Sequence, residues 1–134
     1  MIVYNWMQTP VMTIDADAPA SSASHLIRVN GIELLPVLRE GHVVGVVTEA
    51  DLEHRAASPT GEDPAVKKRM CTAPLTIRPT STAEECFDIL LRCGLNGLPV
   101  VDDDERPVGL ITRSDLFRMF LTLTGMGGLG TLFS

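Results

Sequence analysis

The stretch Pro107-Val108-Gly109-Leu110-Ile111-Thr112-Arg113-Ser114-Asp115-Leu116 has an earlier counterpart in Val43-Val44-Gly45-Val46-Val47-Thr48-Glu49-Ala50-Asp51-Leu52. Each is a short apolar run of the length and composition of a buried strand, followed by Thr-x-x-Asp and a helical pattern. The Thr and Asp therefore fall where a strand hands over to a helix. Free backbone N–H groups and the positive end of the helix dipole lie at such a junction, so anions and sugar hydroxyls can dock there. The same two side chains also fit a capping box, in which they satisfy the first free N–H groups themselves. Two copies, each with Gly three residues before the Thr, point to a repeated module. Capping and ligand contact can coexist at one Thr.

Working outward, the repeat extends over most of the chain. Met7 and Met70, Thr13-Ile14 and Thr76-Ile77, and Leu35-Pro36-Val37 and Leu98-Pro99-Val100 all lie 63 residues apart. From the glycines onward the spacing is 64, and the extra residue falls in the turn-rich Asp102–Pro107. Between these marks Ala20, Ala23, Leu26 and Ile27 give a weak helical stripe, diluted by Ser21, Ser22 and Ser24 and stopped by Gly31. Its counterpart is stronger: Thr82-Ala83-Glu84-Glu85 reads as a capping box, and Ala83, Phe87, Leu90 and Leu91 form an apolar stripe ended by Gly94. Pro36 should sit at a strand start or edge, because it has no N–H to give a ladder. A helix after Thr48 should run to about Ala57, and the last one from Asp115 through Leu123, with Leu129–Ser134 as a tail. Met1–Met7, with Trp6, reads as an apolar lead-in that packs. The fold class this implies is α+β, two pseudo-symmetric β-α-β-β-α repeats packed sheet to sheet. The first repeat spans 1–58, a linker 59–69, and the second repeat with its tail 70–134. One half alone is too small to bury its sheet well.

Composition narrows the function. The 134 residues are 45% apolar and carry a net charge of −6, with only 4% aromatic residues. An acidic chain with few stacking side chains argues against nucleic acid as a partner. The one basic cluster, Lys67-Lys68-Arg69, reads as a solvated helix face. No apolar run approaches membrane-spanning length. The three cysteines, Cys71, Cys86 and Cys93, are odd in number and form no C-x-x-C, which suggests a reduced, cytoplasmic protein. The histidines His25, His42 and His54 have no metal-ligand spacing, and no nucleophile motif is present, so the chain does not read as an enzyme.

The doubled pattern resembles a tandem pair of CBS domains, named from cystathionine β-synthase and called a Bateman module. Its marks are Met-x-Thr before the first strand, Gly-x-x-x-Leu-Pro-Val at Gly31–Val37 and Gly94–Val100, and Gly-x-x-Thr-x-x-Asp in both halves. The resemblance implies a regulatory module that requires no cofactor and binds an adenosine-containing ligand, AMP, ADP, ATP or S-adenosylmethionine, in clefts between the repeats. It assigns the ribose hydroxyls to Asp51 and Asp115 and phosphate or ribose to Thr48 and Thr112. The adenine falls to the backbone near Thr13-Ile14 and Thr76-Ile77, with Pro36 and Pro99 in the same clefts. Two residues before Leu-Pro, where phosphate-binding members often carry a base, this chain has Glu33 and Asn96. An acid repels phosphate, whereas Asn can donate to it, and Arg113 and Arg118 stand near the second Asp. The cleft using Thr112 and Asp115 is therefore expected to be the better one.

The alternative is a ligand-free dimerisation or scaffold module acting on an unknown regulated protein. Either way a homodimer through the helices is expected. Leu116, Phe117, Met119 and Phe120 cannot all point into one small core, and a two-fold contact is the usual closed solution.

Overall fold

The computed structural model describes residues 1–53, 61–72 and 75–125. Within these, the first half runs β1 (Ile14–Asp15), α1 (Ala20–Asn30), β2 (Leu35–Arg39), β3 (His42–Val47) and α2 (Glu49–Glu53). The second runs α3 (Ala83–Cys93), β4 (Gly97–Val101), β5 (Pro107–Thr112) and α4 (Arg113–Leu123). The first sheet has order β1-β2-β3, with β1 parallel and β3 antiparallel to β2; the second is the hairpin β4-β5. The counterpart of β1 is reduced to a single parallel bridge, Ile77 to Val100. The expected end of the helix after Thr48, His54 and the C-terminal tail lie outside the described residues. The α+β architecture of two matching halves is the one the sequence implied.

The core repeats as the sequence does. Ile14, Ala23, Ile27, Leu35, Val37, Val47 and Leu52 form one buried cluster. Ile77, Cys86, Leu90, Leu98, Val100, Ile111 and Leu116 occupy the same positions in the other. Between the sheets Leu34, Val46 and Leu110 make a third, smaller cluster, with Val11 against it. Helices α1 and α3 are both 11 residues long and end at Gly31 and Gly94 in the left-handed conformation that glycine tolerates best. Of these two helices α3 alone has a side-chain N-cap, Thr82 Oγ1 accepting from Glu85 N at 3.1 Å.

Pro36 is the second residue of the central strand β2, opposite Val46. Val46 turns its backbone the other way, exchanging bonds of 3.2 and 2.9 Å with Cys71. The pair Pro36–Val46 thus needs no N–H from the proline, and β1 pairs only from Val37 onward. Pro99, opposite Leu110, repeats this, with Leu110 bonded to Gln8 instead.

Each lead-in completes the half it does not belong to. Val3 is fully buried in the second cluster, and Val66, in the stretch between the repeats, is fully buried in the first. Val3 N donates to Ser81 O and Tyr4 N to Pro79 O, both at 2.9 Å; Val66 N donates to Ala18 O at 2.8 Å and Lys67 N to Ala16 O at 3.0 Å. Glycine permits this exchange. A Cβ on Gly109 would sit 2.5 Å from Met7 Sδ and 3.1 Å from Gln8 O, and one on Gly45 would collide with Met70 Sδ. The Met-x-Thr and Gly-x-x-Thr-x-x-Asp marks are two sides of one contact: the Met of one lead-in crosses the Gly of the other repeat.

Candidate functional site: two Thr-Asp helix starts

Thr112 ends β5 in extended conformation and caps α4. Its Oγ1 accepts from Asp115 N at 3.3 Å, while Asp115 Oδ2 accepts from Thr112 N and Thr112 Oγ1, each at 2.9 Å. This is a complete capping box. Two further donors reach the same carboxylate. Gln8 Nε2 donates to Oδ2 at 3.0 Å, and Arg118 pairs with Oδ1. Asp115 is 2% exposed, so its acceptor positions are occupied by protein.

Thr48 and Asp51 repeat the local geometry. Asp51 Oδ2 accepts from Thr48 N at 2.9 Å and from Thr48 Oγ1 at 3.1 Å. Asp51 is only half-buried, and among the described residues Thr48 alone bonds to it. The position equivalent to Gln8 is Cys71, whose side chain is exposed.

The remaining residues singled out in the sequence divide between core and rim. Ile14, Ile77, Pro36 and Pro99 are buried, Thr13 and Thr76 half-buried. Ile77 N donates to Pro99 O at 3.1 Å, so its backbone is used by the sheet. Arg113 is exposed and folds back, its Nε on Leu95 O at 2.7 Å and its N on Asn96 O at 2.9 Å. Glu33 crosses to the other half: its Oε1 lies 3.4 Å from Ser114 Oγ, at the start of α4. The acid of the first repeat therefore faces the Thr-Asp pair of the second. Gln8 was not singled out by its sequence; its place directly after Met7 was the only available signal.

A cavity of about 600 Å³ lies elsewhere, against α1 and Gly61–Pro64, and includes neither Thr nor Asp of the two helix starts. Among the described residues no His, Cys, Asp and Glu group could hold a metal ion, and no helix is long and apolar enough to cross a membrane.

A family model for the CBS domain matches residues 3–57 and again 66–122. The chain belongs to the CBS-domain family. A CBS domain-containing protein of Dictyostelium discoideum is 30% identical over 133 residues, covering 90% of this chain and 92% of its own. The CBS pair matches the structure of CBSX2 from Arabidopsis thaliana in complex with AMP, with a TM-score of 0.80 and 25% identity over 92% of this chain and 98% of that one. It matches the CBS domain pair of protein MJ0100 in complex with 5′-methylthioadenosine and S-adenosyl-L-methionine with a TM-score of 0.81 and 24% identity, over 90% and 95%.

Proposed function

We propose that this CBS pair is a regulatory sensor, not an enzyme, that binds one adenosine-containing ligand in the cleft carrying Thr48 and Asp51. The observation that carries the choice of cleft is the difference between the two carboxylates. A ribose diol needs an open acceptor. Asp51 is half-buried and bonded only by its own Thr48 among the described residues, whereas Asp115 is closed by Gln8 and Arg118. The crossing of Glu33 to Ser114 works in the same direction. An acid beside the start of α4 repels phosphate there, which favours the Asp51 cleft for a charged ligand. This reverses the preference drawn from sequence, which paired each Asp with the residues of its own repeat.

AMP, ADP, ATP and S-adenosylmethionine are the ligand candidates, in keeping with the complexes of the two structural relatives. The protein acts in the cytoplasm, as a homodimer joined through helices, on a partner protein that reads the occupied cleft. Thermal denaturation with each ligand and with NAD tests the sensor reading. A ligand held only by the folded state raises the melting temperature. No shift with any of them at millimolar concentration favours the ligand-free scaffold instead.

A further inference from the structure

The residue after the methionine of each lead-in stands against the helix start of the other repeat. Gln8 and Leu110 exchange backbone bonds of 2.7 and 3.1 Å, and Cys71 and Val46 exchange bonds of 2.9 and 3.2 Å. A Cβ on Gly109 would lie 3.1 Å from Gln8 O, and one on Gly45 would lie 2.8 Å from Cys71 O. Leu110 and Val46 each lie two residues before the Thr of a Thr-Asp pair. Backbone and register are therefore matched at the two crossings. The Thr-Asp bonds are matched as well: Asp115 Oδ2 accepts from Thr112 N and Oγ1 at 2.9 Å each, and Asp51 Oδ2 from Thr48 N and Oγ1 at 2.9 and 3.1 Å. What differs is the side chain carried at the crossing. The amide of Gln8 reaches Asp115 Oδ2 at 3.0 Å. Cys71 is two bonds shorter, is exposed, and offers no comparable donor.

We infer that this position is the gate of each cleft. A long donor there occupies the carboxylate from within the chain, as Gln8 does at Asp115, and the short side chain of Cys71 is what leaves the Asp51 cleft open to a ribose diol. The inference deepens the sensor reading and rests on it for the ligand; the reach of the gate to the carboxylate concerns the protein alone. The thiol chemistry of Cys71 plays no part, only its length. A diol spans both oxygens of a carboxylate, so an amide on one oxygen is enough to oppose it. The amide is tethered beside its acceptor and competes without the cost of association, so the apparent affinity of a ligand falls with the fraction of time the carboxylate is free. The gate residue cannot swing aside as a whole, because the neighbouring methionine is packed over Gly45 or Gly109. Occupancy of a cleft is thus set by one side chain on a segment that belongs to the other repeat.

The test grafts the closed gate onto the open cleft. Calorimetry on the full chain uses AMP and S-adenosylmethionine as probes. Cys71→Gln should weaken whichever of them wild type binds by about tenfold or more. Cys93→Gln, the same substitution at the exposed end of α3, should bind as wild type does. A second readout needs no ligand. The new amide bond should raise the melting temperature of Cys71→Gln above that of wild type, and the same substitution made in Asp51→Ala should give little or no rise. Unchanged or tighter binding by Cys71→Gln overturns the gate. So does a melting temperature that does not rise, or a rise as large in the Asp51→Ala background. If wild type binds neither probe, the sensor reading fails for these ligands, and the melting temperatures still decide whether a side chain at position 71 reaches Asp51.

Discussion

Gln8 Nε2 donates to Asp115 Oδ2 at 3.0 Å across 107 residues of sequence. The bond ties the N-terminal lead-in to the helix start of the second repeat and takes up an oxygen that a ligand would otherwise use. Among the described residues nothing similar holds Asp51. Gln8→Ala should destabilise the protein by about 1.5–3 kcal/mol, the usual size for a bond to a charged group, read by urea denaturation. Combined with Arg118→Ala it should also free the second carboxylate. Calorimetry with the ligand found by thermal shift should then move from one ligand per chain toward two. If the double variant keeps a stoichiometry of one, Glu33 rather than Gln8 closes that cleft.

Gly109 makes a sharper prediction about the exchanged lead-ins. A Cβ there would lie 2.5 Å from Met7 Sδ, closer than atoms pack. Gly109→Ala should therefore cost about 1–3 kcal/mol, the range for overpacking a filled site. Shortening the opposing side chain makes room, so Gly109→Ala with Met7→Ala should be less destabilised than the two single losses added together. Denaturation of the three variants gives the coupling directly. Strict additivity would mean that the methionine and the glycine do not meet.

The thiols should separate by burial. Burial first, and the nearby Asp115 carboxylate second, push the Cys86 thiol from its ordinary value near 9 up to about 11. Cys71 and Cys93 are exposed. A thiol reagent at pH 8 should modify two cysteines in the native protein and the third only after unfolding. The sign of the linked stability follows from the raised value. Below pH 9 both states keep the Cys86 proton and nothing is lost. Between about pH 9 and 11 the unfolded chain gives the proton up while the native one retains it, so stability falls through that window. Cys86→Ala should remove that part of the alkaline loss.

The repeat was legible because its information is local. Ile14 and Ile77, Leu35 and Leu98, and Val37 and Val100 lie at one spacing, and each sits in a run whose period announces strand or helix. That Leu116, Phe117, Met119 and Phe120 could not all enter one core was legible as well, but which of them turn out was not: Leu116 and Met119 are buried, while Phe117 and Phe120 are exposed. The exchange of lead-ins was not. Val3 reads as an apolar residue near a terminus, and nothing in its neighbours says that its core lies at Cys86 and Leu90. The same gap affected the site. Glu33 was weighed beside Asp51 because they share a repeat, yet its side chain reaches Ser114. A local pattern fixes which residues form a helix start; only the packing of the halves fixes what faces it.

The most direct test of the account is calorimetry on Asp51→Asn and Asp115→Asn, each checked to be folded, with the adenosine-containing ligand that raises the melting temperature. Asn keeps the size of the side chain but removes the negative acceptor. Leaving a diol donor poorly paired costs about 1–3 kcal/mol, or roughly 5- to 150-fold in affinity. The account predicts that loss for Asp51→Asn and an affinity within about twofold of wild type for Asp115→Asn, with one ligand per chain in wild type. Binding that survives Asp51→Asn unchanged and collapses in Asp115→Asn would contradict it.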